Sequence, residues 1–237
     1  MAHTLPNWAQ AQNSPNAELH VVAIPPKPSG AAGSAFSLRI WVSDTKIKVA
    51  EQQPGDRLPI SCPERHINYD GSFCVGLDAG AKVSNEQSAN QWWAHLQEYL
   101  QCQEFAAKHK RWPPGKQLSH GDAAKYQLNA ENFAGRLGLS QAYHDAVEHK
   151  IGWLSGDLPK VSKTEHKILN GRARCPKDCK TKRGAPILRK QCREPENMWG
   201  LFVNETMRRA EEKRFIQSYK RDGMTCCGTM KNCPFRY

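Results

Sequence analysis

The sequence predicts an α+β fold, in which a small antiparallel meander packs on helices and a cysteine-rich C-terminal extension follows. Short β-branched runs in the first part of the chain indicate the meander, and apolar residues spaced by three and four from Glu86 indicate the first helix. Past Pro159 the composition becomes basic and rich in cysteine. We therefore expect a main domain at residues 1–155 and a basic, cysteine-rich region at residues 156–237.

The predicted strands are short runs of β-branched and aromatic residues that are bounded by turn-forming residues. The first two are residues 19–24 and 37–43, with a proline-rich linker at residues 25–30 between them. A third run lies around residues 46–49, before a Pro-Gly-Asp turn at residues 54–56. Because the runs follow one another with short connections, we expect an antiparallel meander.

The first predicted helix begins near Glu86 and is amphipathic. It should end near residues 112–115, where two consecutive prolines remove backbone donors and favour extended backbone. Further helices are expected around residues 123–137, residues 140–153 and residues 197–219.

The composition favours a soluble protein with free thiols. No apolar run is long enough to cross a membrane, and the N-terminus lacks the basic and apolar regions of a signal peptide. The nine cysteines are an odd number in a chain with no visible export signal, so free thiols and a metal site are expected rather than a disulfide framework. We expect a cytoplasmic location and no membrane partner.

The net charge of +11 is unevenly distributed, with one dense basic block in the C-terminal region. Such a block favours an acidic partner, and nucleic acid is one. The block has no interleaved aromatic residues to stack on bases, so nucleic acid is not expected as the main partner. The alternative is a solvated basic face around anionic cysteine ligands. The basic residues are Arg172, Arg174, Lys177, Lys180, Lys182, Arg183, Arg189, Lys190 and Arg193.

The most informative segment is His-Ile-Asn-Tyr-Asp-Gly-Ser-Phe-Cys at residues 66–74. It places Cys74 just beyond a His/Asn turn and a glycine-bearing bend. A thioester forms on an accessible sulfur that is a thiolate when it attacks and a leaving group afterwards. Since a loop cysteine meets that requirement, the segment predicts a cysteine nucleophile.

Three motifs occur in order along this part of the chain: Pro-Ile-Ser-Cys-Pro at residues 59–63, His-x-Asn at residues 66–68 and Gly-x-x-Cys at residues 71–74. They resemble the signature of the ubiquitin-conjugating enzymes, in which a meander precedes the motifs and a tryptophan-bearing helix follows them. The resemblance covers roughly residues 18–150 and implies a ubiquitin-conjugating-enzyme-like fold. Ile67 stands where the eukaryotic enzymes have proline, which softens the turn.

Further elements resemble the bacterial branch of that family, which includes stand-alone conjugating enzymes of CBASS antiphage operons. They are Asp-Gly-Ser-Phe-Cys at residues 70–74, Arg-Trp-Pro at residues 111–113 and Leu-Ser-His-Gly at residues 118–121. The resemblance implies a transferase that accepts the C-terminal glycine of a partner as a cysteine thioester and passes it to a lysine. The partner implied by those operons is a cGAS-like nucleotidyltransferase, bound through its C-terminal tail, and the role implied is the regulation of antiphage signalling.

The roles of the motif residues follow from this chemistry. Cys74 is the expected nucleophile, and Asn68 is expected to donate its amide N–H to the tetrahedral oxyanion. His66 either fixes the loop or acts in acid/base catalysis, and we favour the structural role. Asp70 either orients the incoming lysine or caps the turn, and both interpretations stay open.

Cys102, in the C-terminal half of the first predicted helix, is the competing nucleophile. A helix cysteine usually packs as a small hydrophobic side chain, and the C-terminal end of the helix dipole disfavours a thiolate, so Cys74 is preferred. Cys62, beside Pro63, is expected to be structural. His120, in a Ser-His-Gly turn, either holds the motif loop by a hydrogen bond or serves as a base.

The cysteines of the C-terminal region have spacings that resemble a metal-binding cluster. Zinc takes four tetrahedral thiolate or imidazole ligands, and closely spaced cysteines lower the entropic cost of assembling them. The alternative is a set of reduced thiols on a flexible basic tail. No cofactor is expected for catalysis. The expected ligands of a closed, structural zinc site are Cys175, Cys179 and Cys192 with one of Cys226, Cys227 or Cys233.

The source of energy for the thioester is open, because the sequence has no Gly-x-x-x-x-Gly-Lys-Ser/Thr nucleotide loop. We expect either a separate ATP-dependent activating enzyme as a second partner or attack of the cysteine on an existing peptide bond near the end of the partner. Two other functions are considered: a non-catalytic binding scaffold for the nucleotidyltransferase, and a basic nucleic-acid-binding protein. The retained Gly-x-x-Cys motif argues against the scaffold.

Overall fold

The structure is a computed structural model that describes residues 2–14, 17–231 and 233–236. It divides into two units, each with its own apolar core. The first unit combines Met1–Lys116 with the C-terminal segment Gly223–Tyr237, and the second unit is Gln117–Asp222. Within the described part of the chain, no helix is both long and apolar enough to cross a membrane.

The first unit is built on a four-stranded antiparallel sheet with the order β1-β2-β3-β4. The strands are β1 (Ala9–Gln12), β2 (Leu19–Ala23), β3 (Phe36–Ser43) and β4 (Lys46–Glu51). The predicted meander is confirmed by β2, β3 and β4. The sequence does not predict β1, because alanine and glutamine have little preference for strands, and pairing with β2 determines its position.

Within the described residues of the first unit, the one long helix is α1 (Glu86–His109). It begins at Asn85, whose side chain accepts a hydrogen bond from the Ser88 backbone N–H at 2.9 Å, while Ser88 Oγ accepts one from the Asn85 N–H at 3.0 Å. It ends at Lys110, whose left-handed backbone (φ +57°) turns the chain just before the two prolines at which the sequence predicts the helix end. The helix and the sheet share one core, formed by Trp92, Trp93, Leu96, Tyr99 and Leu100 with Val21, Leu38, Ile40 and Val49.

The second unit is mainly helical. Between its helices, the described part of this unit has one two-stranded sheet and two isolated antiparallel bridges, which pair residue 174 with 188 and residue 180 with 186. Proline in the first turn of the last helix occupies a position where no backbone N–H is needed. The first and last helices match two of the predicted ones. The elements are α2 (Ala123–Arg136), α3 (Ser140–His144), β5 (Val161–Ser162), β6 (Lys167–Ile168) and α4 (Pro195–Arg221).

The helix predicted at residues 140–153 is broken in the structure. A π-helical turn, Asp145–His149, continues α3 and ends at Lys150, whose backbone is left-handed (φ +58°). A separate 3-10 turn, Trp153–Ser155, follows. The apolar spacing does not reveal the break, because Val147 and Leu154 on either side of it are buried in the same core.

The boundary between the units differs from the predicted one near residues 155–170. It falls after Lys116, because α2 packs against α4 and both therefore belong to one unit. The last residues of the chain belong to the first unit, where the Lys231 N–H donates to the Lys110 carbonyl at 2.7 Å. Such a return is a long-range contact that local sequence patterns do not indicate.

The contact between α2 and α4 depends on Gly200. A methyl group at this position would lie 2.5 Å from the Phe133 ring. We expect Gly200→Ala to destabilise the second unit by about 1–3 kcal/mol, because overpacking outweighs the gain of about 1 kcal/mol in helix propensity. The control is Gly135→Ala in exposed α2 backbone, where the nearest atom, Ser140 Oγ, is 3.6 Å away. Thermal unfolding followed by circular dichroism should show a lower midpoint for the first variant and an unchanged or higher one for the second, and equal midpoints would contradict this packing argument.

Candidate active site

The segment from Cys62 to Cys74 folds back on itself twice. Cys62 and Ile67 exchange two backbone hydrogen bonds of 3.0 Å around the 3-10 turn Pro63–Arg65. Ile67 then lies opposite Phe73 in a short antiparallel bridge, in which the Cys74 N–H donates to the His66 carbonyl at 2.8 Å. Proline has no N–H and could not donate the hydrogen bond that Ile67 makes. Isoleucine at this position, where the eukaryotic ubiquitin-conjugating enzymes have proline, therefore adds a hydrogen bond within the loop.

The bridge sorts the side chains of the segment onto two faces. Ile67 and Phe73 are buried in the core of the first unit. Because successive side chains of extended backbone alternate, Asn68 and Cys74 follow them on the opposite face. Asn68 is exposed and Cys74 is half-buried. The predicted nucleophile and the predicted oxyanion donor thus share the outer face of one hairpin.

The tip of this hairpin is a tight turn that the sequence encodes locally. The Gly71 N–H donates to the Asn68 carbonyl at 3.0 Å, with Gly71 at φ +77°, a conformation that favours glycine. Asp70 Oδ1 accepts hydrogen bonds from the Ser72 N–H at 3.0 Å and from Ser72 Oγ at 2.5 Å. The Asn68 side-chain amide donates to Ser72 Oγ at 3.0 Å. Ser72 therefore links the two sides of the turn.

A buried polar network attaches the base of the loop to α1. Gln103 Nε2 donates to the Arg65 carbonyl at 2.6 Å and to the Tyr99 hydroxyl at 2.5 Å, and that hydroxyl lies 3.2 Å from the carbonyl oxygens of both Arg65 and His66. Arg65 Nε donates in return to Gln103 Oε1 at 2.8 Å. On the sheet side, the Phe73 N–H donates to the Val49 carbonyl at 2.7 Å. The loop is therefore fixed from both sides.

His66 contributes to the shape of the loop through its backbone and its buried ring. Its backbone is left-handed (φ +52°) and its carbonyl accepts the Cys74 N–H. Its side chain is buried, and its ring centroid is 4.8 Å from that of Trp112. The contact with Trp112 involves the Arg-Trp-Pro element that the sequence singles out.

Asp70 takes part in both the turn and an ion pair. Lys48 Nζ donates to Asp70 Oδ2 at 2.8 Å, in addition to the bonds from Ser72. Burial alone would raise the pKa of Asp70, but the hydrogen bonds from Lys48 and Ser72 outweigh it and lower the pKa. The carboxylate is therefore charged at neutral pH. Turn capping is seen directly, and the orientation of a lysine stays a prediction.

The Cys74 sulfur is held as a thiol at neutral pH. Burial raises its pKa above the ordinary cysteine value, and a hydrogen bond from the Gly76 N–H opposes that shift only in part. The thiolate that a thioester requires is thus a minor species in the free protein.

Cys102 lies on α1 and is 6% exposed. Burial, followed by the nearby Glu98 carboxylate, raises its pKa to about 12, and Lys116 opposes the shift. It lines a broad groove of about 1180 Å³ together with Glu98 and Lys116. A buried thiol beside a carboxylate is less suited to attack than Cys74.

His120 belongs to the second unit, whereas Cys74 belongs to the first. Its backbone N–H donates to Glu212 Oε2 at 2.8 Å, its Nδ1 lies 2.6 Å from Glu212 Oε1, and its ring stacks on Phe215. These contacts join the Ser-His-Gly turn to α4. The described contacts of His120 therefore give it a structural role in the second unit.

The cysteines of the predicted zinc site fall into two groups. Cys175, Cys179 and Cys192 lie together in the second unit around a cavity of about 280 Å³. Cys226, Cys227 and Cys233 belong to the first unit, where Cys227 contacts Cys62. Over the described ranges, no set of three or more His, Cys, Asp and Glu side chains already has the arrangement of a metal site. The sequence alone does not indicate this division, because it depends on the return of the chain end.

Sequence reasoning missed Arg65, Tyr99 and Gln103, which hold the loop. A signal for two of them exists: Gln103 follows Tyr99 by four residues and Leu96 by seven, so a polar side chain interrupts the apolar face of α1. A buried polar residue on such a face requires a partner. The sequence does not show that Arg65 is that partner.

The sheet, the long helix and the cysteine-bearing hairpin define a conjugating-enzyme-like domain. Residues 8–114 match the family described as "Prokaryotic E2 domain", and residues 119–235 match "Cysteine-rich domain, C-terminal to E2 domain". Neither a curated protein nor a solved structure matches the chain. The two family matches support assignment of the chain to a bacterial E2-like family with a ubiquitin-conjugating-like role.

The network that holds the loop can be tested through Tyr99. Tyr99→Phe removes the hydroxyl that bonds Gln103 and lies against two buried carbonyls, so we expect a loss of about 1–3 kcal/mol in unfolding free energy. Urea unfolding of the full chain measures it. The control is Tyr69→Phe, because Tyr69 is 72% exposed and should change stability by less than about 0.5 kcal/mol. Equal stability of the two variants would show that the hydroxyl does not hold the loop.

The raised pKa of Cys74 predicts the pH dependence of its alkylation. Only the thiolate reacts, so the rate with iodoacetamide should keep rising above the pH at which an ordinary cysteine levels off, near pH 8.5–9. Peptide mapping of timed samples measures the rate at Cys74, with glutathione as the reference thiol. A rate that levels off near pH 7 would mean that the pKa is lowered instead.

Proposed function

We propose that the protein is a ubiquitin-conjugating-like acyltransferase with Cys74 as its nucleophile. The enzyme accepts the C-terminal glycine of a partner protein as a thioester and passes it to a lysine. The observation that carries the proposal is the position of Cys74: it is half-exposed at the end of a hairpin that is bonded to both the sheet and α1. The match to the prokaryotic E2 domain supports the same chemistry.

The chemistry requires two transfers of one acyl group. In the first, the Cys74 thiolate attacks the glycine carbonyl, an S–C bond forms and the bond to the leaving group breaks. In the second, a lysine amine attacks the thioester, an amide forms and Cys74 leaves as the thiolate. Both steps pass through a tetrahedral oxyanion, and a well-placed donor such as the Asn68 amide contributes about 3 kcal/mol to its stability.

Asn68 is suited to this role by its place on the outer face of the hairpin. Its Nδ2 group carries two N–H donors, one of which is used by Ser72. The turn held by Ser72 and Asp70 keeps the side chain from rotating freely. Asp70 is charged and paired with Lys48, and in this proposal it orients an incoming lysine that takes the place of Lys48.

The proposed partner is a cGAS-like nucleotidyltransferase with a C-terminal glycine, and the proposed role is regulation of antiphage signalling of the CBASS type. This proposal rests on the resemblance of residues 70–74, 111–113 and 118–121 to the bacterial branch of the family. The accepting lysine belongs either to the enzyme or to its partner.

Formation of the thioester has to be coupled to an energy source. We propose that Cys74 attacks an existing peptide bond near the C-terminus of the partner, so that the C–N bond breaks, the thioester forms and the departing amine takes up the thiol proton. Transfer to lysine then forms a new amide, and the overall exchange replaces one amide by another. A separate ATP-dependent activating enzyme is the alternative source.

We further propose that Cys175, Cys179 and Cys192 hold a structural zinc ion in the second unit. The three side chains line one cavity together with Glu194, whose carboxylate is suited to the fourth position. Ile187 fixes the turn between the first two, since its carbonyl accepts from the Cys175 N–H and its N–H donates to the Cys179 carbonyl, both at 2.8 Å.

The proposed nucleophile is tested by intact-mass and non-reducing gel analysis of the protein co-expressed with its operon neighbours. We expect an adduct that thiols remove from the native chain, and that becomes a thiol-resistant ester in Cys74→Ser. Cys102→Ser is the matched control and should retain the thiol-sensitive adduct. Loss of the adduct only in Cys102→Ser would move the nucleophile to α1, and no adduct in any variant would favour a binding scaffold.

The energy source is tested with the same readout on purified proteins. An extended partner precursor, with residues beyond the glycine, should form the Cys74 adduct without ATP. If a mature glycine-ended partner reacts only with ATP and a second protein, while the precursor gives nothing, the activating-enzyme route is correct and acyl exchange is not.

A further inference from the structure

Four cysteines from two distant parts of the chain meet in the first unit. Cys62 is the first residue of the segment of residues 62–74 that carries the proposed nucleophile, and Cys226, Cys227 and Cys233 belong to the C-terminal segment. Cys227 Sγ lies 2.8 Å from Cys62 Sγ, and Cys226 Sγ lies 3.3 Å from Cys233 Sγ. The two pairs are neighbours because Cys226 and Cys227 are adjacent in the sequence.

The burial of these thiols argues for a specific role. Cys62 is 1% exposed and Cys233 is 8% exposed, while Cys226 and Cys227 are half-buried. A free cysteine in a core normally packs among apolar side chains as a small hydrophobic group. Here each sulfur instead faces another sulfur, which apolar packing does not explain.

The surrounding donors are those expected around bound thiolates. The Gly228 N–H donates to Cys226 Sγ at 3.3 Å, and Thr229 Oγ1 lies 3.0 Å from Cys227 Sγ. Hydrogen bonds of this kind orient thiolate ligands and spread their charge. The Arg65 guanidinium interacts electrostatically with Cys62 and Cys227, so a positive charge is available to balance an anionic cluster.

Zinc binding would move the sulfurs apart from their present positions, because among the described residues they do not yet have the arrangement of a metal site. Zinc binds thiolates at about 2.3 Å, so the sulfurs of a tetrahedral site are separated by ~3.8 Å. The observed pairs are closer than that but longer than the ~2.05 Å of a disulfide bond. Residues 224–227 are irregular backbone, which can accommodate the shift and can present two adjacent cysteines.

We propose that Cys62, Cys226, Cys227 and Cys233 bind one zinc ion as a closed tetrathiolate site. The site differs from the one proposed in the second unit and shares no ligand with it. Zinc binding replaces the thiol protons, which are released to solvent, and leaves no open coordination position. Its role is therefore structural.

Zinc at this site would also affect the segment of residues 62–74, which carries the proposed nucleophile. Cys62 exchanges two backbone hydrogen bonds with Ile67, which lies opposite Phe73, the residue before Cys74. A metal at Cys62 would therefore fasten the C-terminal segment to the base of the hairpin that carries the proposed nucleophile. The proposal does not depend on the transfer chemistry, because it concerns metal content.

The test is the zinc content of the full-length protein purified under reducing conditions, measured by elemental mass spectrometry and by native mass spectrometry. We expect Cys62→Ser and Cys233→Ser each to lose one zinc ion per chain. Cys102→Ser, which changes a buried cysteine outside the cluster, should keep the full content. Cys175→Ser should lose only the ion of the second unit, which separates the two sites. Unchanged zinc content in Cys62→Ser would overturn the proposal.

A measurement on the unsubstituted protein covers the case in which these variants do not fold. Alkylation with peptide mapping is carried out with and without a zinc chelator. The four thiols should be protected together and become reactive together when the chelator is added, and zinc should be released at the same rate. Reaction of the four thiols at rates that the chelator does not change would overturn the proposal, and so would a Cys62–Cys227 disulfide in the reduced preparation.

Discussion

The loop of residues 62–74, which carries the proposed nucleophile, depends on a buried polar network that joins it to α1. Arg65 is 3% exposed, and burial lowers the pKa of its guanidinium, so its position is favourable only while its hydrogen-bond partners are in place. Gln103 supplies them, and Tyr99 completes the set by contact with the Arg65 and His66 carbonyls. Because a buried group that loses its partner costs more than an exposed one, the network favours a single loop geometry. The position of Cys74 follows from that geometry.

The same burial that fixes the loop affects the reactivity of Cys74. A thiol with a raised pKa is mostly protonated at neutral pH, which limits its reaction with oxidants and with unrelated electrophiles. The few thiolates that form are intrinsically more nucleophilic, since nucleophilicity rises with the pKa of the thiol. Under the proposed function, a partner tail that brings N–H donors or positive charge to the sulfur would increase the thiolate fraction. On that proposal, attack by Cys74 is favoured when a substrate is bound over attack in the free protein.

The elements that the sequence predicted are those encoded by local patterns. Short β-branched runs bounded by turn-forming residues predicted β2 and β3, the three-and-four repeat predicted α1, and helix-like runs predicted α2 and α4. The loop residues His66, Asn68, Asp70 and Cys74 could be selected from motif order and turn chemistry. The contacts of Arg65, the division of the cysteines and the return of residues 223–236 could not, because each depends on residues far apart in sequence. The unit boundary was displaced for the same reason: the pairing of α2 with α4 spans the whole second unit.

The arrangement of the nine cysteines is consistent with an enzyme that carries an acyl group on one of them. A thioester passes readily to any thiolate within reach, so other thiols near the site have to be kept from competing. Cys102 meets that condition by burial, which raises its pKa to about 12. Under the two zinc proposals, the remaining seven are metal ligands: Cys175, Cys179 and Cys192 in one unit, and Cys62, Cys226, Cys227 and Cys233 in the other. A thiolate bound to a closed zinc site has its lone pair engaged and lies in a protected environment, so it competes poorly for the acyl group. On this account, sequestering the other thiols leaves Cys74 as the reactive cysteine of the protein.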